Sequence, residues 1–277
     1  MGHREVDGHR VAYETWGSEG SPVAVIFLHG FGGDRHQFAF QAQAAADAGA
    51  ACLAVDLTSL TEGGSFREIW VERSVRSAQR RNVLQVVDHA SWFAGGRPFV
   101  LVGHSAGGGI ALESAVELQQ SGKAPLAVLL LDGVGWPATD EVAGKFSAVD
   151  TRLLSIRAEP SAWNKNGCIE QTIRCIPTAG VPSGHLLDVK VHGAKHGDPI
   201  ALKGWMYGLL GLIGTSEARD VLDRLVKAFL RQLLQGTSEA PDSAPGAACR
   251  SSFLAELQQL QELGSCSVVD LAPTGPG

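Results

Sequence analysis

The chain has 277 residues, of which 44% are hydrophobic and 19% charged, and a formal net charge of −6. That length can bury a sizeable core as one large α/β domain or two small ones. The acidic balance excludes a general attraction to nucleic acid or to an anionic membrane surface, and the densest basic stretch, Arg73 to Arg81, reads as the solvated face of a helix.

In chain order, Val11 to Trp16 alternates apolar and polar residues and predicts a β-strand. Val23 to Leu28 is uniformly apolar and stops at His29-Gly30, which suits a strand buried on both faces. Asp34 reads as a helix N-cap with Gln37 three residues on, opening a helix that runs through an alanine-rich stretch to about Gly49. Ala51 to Val55 is the next strand and ends at Asp56. Residues 57–68 form a Gly/Ser/Thr-rich loop, and 69–93 read as a helix. Further strands are predicted at Phe99 to Val102, Leu126 to Leu131, Leu153 to Arg157 and Leu186 to Val191. Asp198 and Pro199 suit the N-cap and first turn of another helix, and helical periodicity returns from Leu209 to Leu234. Strands alternating with helices, several of them wholly apolar, predict an α/β fold with a mostly parallel sheet covered on both faces. We assign residues 1–235 to this α/β domain. From 236 to 277 the composition shifts to Gly, Ser, Pro and Ala around one amphipathic piece, Phe253 to Leu263, and reads as a flexible tail with one short helix.

The longest apolar stretch, Trp205 to Ile213, is too short to span a bilayer. The charged start, Met1-Gly-His-Arg-Glu-Val6, lacks the apolar segment of a secretory signal and fails the myristoylation pattern. The five cysteines are scattered, with no CxxC and no Cys/His metal spacing. Reduced thiols and a cytoplasmic location are therefore expected.

Residues 97–112 carry the densest signal. An apolar strand breaks at Gly103-His104-Ser105-Ala106-Gly107, and small and apolar residues then resume at helical spacing. A serine at the apex of a strand–turn–helix is a nucleophile elbow. The serine takes a strained backbone conformation that projects its hydroxyl. The residues two positions before and after it must be small because strand and helix approach closely.

A serine hydroxyl needs a base and a group that orients the base. His185 precedes the last predicted strand and falls at the wrong end of the sheet. His192 stands at that strand's end, and His196 lies beyond it in a glycine-flanked loop that can swing over the elbow. We take His196 as the base, with His192 as the alternative. For the carboxylate, chain order and strand position favour Glu159, with Asp132 as the alternative. The tetrahedral intermediate needs two fixed N–H donors. Ala106 supplies one at the start of the elbow helix, and the loop His29-Gly-Phe-Gly-Gly33 supplies the other through Phe31. The ring of His29 is expected to brace that loop.

These motifs, with the order of strands and helices and the late His196, resemble the α/β-hydrolase superfamily over roughly residues 10–235. Gly103-His-Ser-Ala-Gly-Gly108 is similar to small esterases that lack a large lid, and only about Gly133 to Asp150 is available here for a lid. The resemblance implies a serine esterase acting on a small-molecule carboxylic ester, needing neither metal nor cofactor. Trp136, Trp163 and Phe31 are candidates for an apolar substrate wall. Thioester or C–C bond hydrolysis by the same machinery is the nearest alternative, and a non-catalytic ligand receptor on this fold is another. The acyl chain length and the oligomeric state are not encoded legibly.

Overall fold

The computed structural model describes residues 1–6, 8–57, 72–200, 212–238 and 247–271. Among them, one sheet contains nine strands: β1 (Gly2–Val6), β2 (His9–Trp16), β3 (Ala24–Leu28), β4 (Ala51–Val55), β5 (Phe99–His104), β6 (Ala127–Leu131), β7 (Arg152–Arg157), β8 (Leu186–Val191) and β9 (Cys266–Asp270). Their order across the sheet is β1-β2-β4-β3-β5-β6-β7-β8-β9. The run from β4 to β8 is parallel, while β1, β2 and β9 join it antiparallel. The helices are α1 (Ala39–Asp47), α2 (Glu72–Ala94), α3 (Ala106–Gln120), α4 (Pro137–Ala143), α5 (Ile169–Arg174), α6 (Ser216–Ser238) and α7 (Ala247–Glu262).

The inner strands β3, β4 and β6 are wholly apolar because helices cover both faces. All five residues of β3 are buried, and alternation sends them to two cores. Val25 and Phe27 pack with Phe38 and Ala42, with the stripe Leu222, Leu225 and Phe229 of α6, and with α7. Ile26 and Leu28 pack with Val83 and Val86 of α2 and with Ile110 and Leu112 of α3. Each such side chain contributes roughly 1.5–3 kcal/mol when fully buried.

The topology places the site. From β3 the chain crosses to β4 on one side, then returns to place β5 on the other. The strand order reverses between these neighbours, and at such a switch point the loops leaving the carboxyl ends of two adjacent strands open a crevice. The loop after β3 and the turn after β5 meet there.

Several expectations are corrected. The segment read as a flexible tail contains α7 and β9. Phe253, Leu257 and Leu260 of α7 are buried in the same core as α6, and β9 pairs with β8 from Val191↔Cys266 to Leu187↔Asp270. Its apolar positions are few and its strand short, so composition disguised an integral edge of the sheet. Strand β1 was likewise unforeseen, being a polar edge of only five residues. Asp34 caps a 3-10 turn, Arg35–Phe38, by accepting from the His36 N–H at 2.9 Å, and the α-helix begins only at Ala39. Asp198 accepts from the N–H groups of Lys195 (2.7 Å) and Gly214 (2.8 Å), and residues 198–200 form turns. The helix expected beyond them, the apolar stretch that begins at Trp205, and most of the 57–68 loop lie outside the described residues.

Candidate active site

Ser105 follows β5 directly and has φ 53° and ψ −125°, in the left-handed half of backbone space that few non-glycine residues enter. Its N–H donates to Leu131 O (3.2 Å), and its carbonyl accepts from Gly108 N–H (2.9 Å) and Val134 N–H (2.8 Å). The surrounding ladder therefore holds the strained residue in place. A Cβ at Gly103 would run into the backbone of Gly107, and one at Gly107 into the carbonyl oxygens of Leu28 and His29. Strand, turn and helix are too close there for any side chain.

The ring of His196 completes a chain of hydrogen bonds. Its Nε2 lies 2.9 Å from Ser105 Oγ and its Nδ1 lies 2.6 Å from Asp132 Oδ2. The carboxylate can only accept, so Nδ1 carries a proton and Nε2 is the acceptor for the serine hydroxyl. Asp132 is the first residue after β6 and has φ 44°. It is 1% exposed. Its Oδ1 accepts from Ala158 N–H at 3.0 Å, and the Asn164 amide donates to both carboxylate oxygens at 3.2 and 3.0 Å. Asn164 is itself fully buried, donating also to Glu159 O and accepting from Ser161 and Gly167 N–H groups.

Glu159, the favoured carboxylate from chain order, does not reach His196. Its Oε2 pairs with Lys190 Nζ at 2.7 Å, and its Oε1 lies 3.8 Å from His192 Nδ1 and 3.4 Å from Gly193 N. Burial opposes its charge, but Lys190, the Gly193 N–H and His192 outweigh that and hold its pKa below the ordinary carboxylate value. The physical reason for the correction is position. Glu159 lies two residues past the end of β7, where it turns outward to the end of β8, whereas Asp132 directly follows β6, the strand adjoining β5. The alternative base, His192, faces Glu159, and His185 bonds Ala148 O at the opposite end of the sheet.

The loop after β3 presses on the elbow: a Cβ at Gly30 would lie 2.8 Å from Ser105 Cβ. His29 braces this loop, its Nδ1 2.7 Å from Gly30 O and its Nε2 accepting from Leu57 N–H at 2.8 Å. Burial keeps that ring neutral by lowering its pKa. Asp56, at the end of β4, holds Arg35 through the backbone N–H (2.8 Å) and the guanidinium (2.5 Å), which anchors the end of the same loop. Trp136 ends the segment that leaves Asp132. Its ring lies 3.2 Å from where a Cβ on Gly109 would stand, and Lys165 Nζ sits 4.7 Å from its centre. Trp163, on a 3-10 turn beside Asn164, is 41% exposed.

Two residues escaped the sequence reading. Asn164 carries no one-dimensional signal, because only the folded loop after β7 brings it to Asp132. His104 stands inside the elbow motif, between Gly103 and Ser105, where its identity was visible but its partner was not. Its Nε2 lies 2.7 Å from the carbonyl oxygen of His196.

A strained serine, a histidine bonded to it and a buried acid stand together at the switch point of a parallel sheet. The chain belongs to the alpha/beta hydrolase family, whose model matches residues 25–247. No curated protein matches it. Among solved structures it is similar to a putative dienelactone hydrolase from Klebsiella pneumoniae, with 15% identity, 83% of this chain and 98% of that one covered, and a TM-score of 0.58. A dienelactone hydrolase from Anabaena variabilis shares 20% identity over 76% of this chain and 92% of that one, with a TM-score of 0.53. A soluble variant of monoglyceride lipase from Saccharomyces cerevisiae shares 16% over 87% and 95%, with a TM-score of 0.53. No helix among the described residues is long and apolar enough to cross a membrane.

Proposed function

We propose that this chain is a serine hydrolase that cleaves small-molecule carboxylic esters through an acyl-enzyme on Ser105. The observation that carries the reading is the unbroken hydrogen-bond chain from Asp132 through His196 to Ser105, at 2.6 and 2.9 Å. His196 Nε2 takes the hydroxyl proton as Ser105 Oγ attacks the acyl carbonyl, and Asp132 stabilises the imidazolium that forms. The N–H groups of Ala106 and Phe31 hold the developing oxyanion. The imidazolium then protonates the departing alkoxide, so the alcohol leaves and the acyl group stays on Oγ. Water deprotonated by the same histidine attacks the acyl carbon, and Ser105 departs with the proton. Trp136 and Trp163 form the apolar wall against which the substrate lies.

Steady turnover of short p-nitrophenyl esters tests this. Ser105→Ala should reduce kcat by at least about 10⁴-fold while leaving the melting temperature within a few degrees. Unchanged turnover in the folded variant would overturn the mechanism. Acyl-CoA thioesters cleaved faster than matched oxygen esters would move the substrate class. Failure of a fluorophosphonate to label Ser105 would turn the reading towards a ligand receptor.

A further inference from the structure

We propose that His104 is a positioning residue that pins the backbone of the catalytic histidine, a role that rests on the hydrolase reading above. It ends β5 immediately before the strained serine and is 4% exposed. Its Nε2 is 2.7 Å from His196 O, and the two rings lie with their centres 4.8 Å apart and their planes 36° from parallel. A carbonyl only accepts, so this Nε2 must carry the ring's proton. Nδ1 is buried and has no hydrogen-bond partner among the described residues. It lies 3.1 Å from the place a Cβ on Gly30 would occupy, so the ring fills the space between the oxyanion loop and His196.

One side chain therefore touches both loops that must stay in register with Ser105. The reaction needs His196 Nε2 within hydrogen-bond reach of the serine hydroxyl, and a shift of about 1 Å can cost about 100-fold in rate. A donor on the His196 carbonyl fixes the backbone from which that ring hangs. The ring must also stay neutral, because a cation 4.8 Å away would oppose the imidazolium forming on His196. Burial, with the neighbouring His196, pushes the pKa of His104 down to about 3, which keeps it uncharged across the working range.

The test compares His104→Leu, which fills space without a donor, with His104→Gln, whose amide can place an N–H near the same point. We expect His104→Leu to lose about 10- to 100-fold in kcat with KM changed less than about threefold. Fluorophosphonate labelling should slow in parallel, and His104→Gln should recover most of both rates. Wild-type kcat in His104→Leu overturns the proposal, as does a folded His104→Gln no better than the leucine variant. If His104→Leu does not fold, nitrogen NMR of the wild-type chain decides. A proton held on Nε2, a bare Nδ1 and no titration above about pH 5 support the clamp. Titration in the ordinary histidine range overturns it. A wild-type chain inert to both esters and fluorophosphonate would instead sink the hydrolase reading, and the NMR result would still decide whether the clamp exists.

Discussion

Asp132 and Glu159 leave neighbouring strands, and both have charged or polar partners, but the partners differ in kind. Asp132 is dry; its Oδ1 accepts from Ala158 and Asn164, and its Oδ2 accepts from His196 and Asn164. Glu159 pairs with Lys190 and His192 in a setting where water screens the pair and its worth is small. Converting Asp132 to Asn should leave the shape and remove the acceptor that fixes the histidine tautomer. We expect kcat to fall about 10³- to 10⁴-fold, against less than about threefold for Glu159→Gln, measured side by side on one ester. Equal losses would mean that Asp132 does not orient His196. Local chemistry made the strained turn at Ser105 legible in the sequence, since small residues two positions either side give it a steric signature, and the glycine-flanked loop past β8 pointed to the histidine that lies beside it. The carboxylate was not legible, because two acids at strand ends look alike until their strands are placed beside or away from β5. Asn164 and His104 act through partners 32 and 92 residues away, a separation no local pattern encodes.

Among the elements, α3 is the hub that ties the elbow to its surroundings, and one of its residues makes the tie sensitive to pH. Glu113 accepts from Thr139 Oγ1 of α4 at 2.6 Å and from Gln79 Nε2 of α2, and Gln79 also reaches Thr139. Burial pushes the Glu113 carboxyl from 4.5 up to about 7, while the Thr139 hydroxyl and nearby Arg80 pull less strongly the other way. The folded chain therefore binds this proton more tightly than the unfolded chain does. The resulting stability is complete below about pH 4.5 and is lost as pH rises through about 7. The melting temperature of the wild type should fall between about pH 5 and 8, and Glu113→Gln should flatten that fall. Parallel melting curves in the two proteins would reject this assignment. Neither the tie nor α4 was predicted, because a seven-residue helix after Trp136 offers too few turns for a periodic signal. The inner strands β3, β4 and β6 were legible because they are continuously apolar. Edges β1 and β9 were not, since a strand with one open side keeps polar residues.

For the molecule as a whole, the question is whether the chain after α6 is cargo or structure. Helix α6 presents Leu222, Leu225, Phe229 and Leu233 to the core, and Phe253, Leu257 and Leu260 of α7 close that same core. The rings of Phe229 and Phe253 are 5.5 Å apart, and Arg224 reaches Glu256 at 2.7 Å. Strand β9 then covers the open edge of β8, and Ser265 O accepts from His192 N–H at 3.1 Å, four residues before His196. The segment thus supports both the core and the strand from which the loop carrying His196 departs. Phe253→Ala opens a void in that core and should cost about 3–5 kcal/mol. In a chain of this size that should lower the melting temperature by roughly 6–12 °C. Removing everything after residue 238 should do more, exposing the apolar stripe of α6 and an unpaired strand edge, so that the product aggregates. A dispensable appendage would give the opposite result, with both variants melting and hydrolysing esters like the intact chain, and thermal unfolding with light scattering separates the two cases.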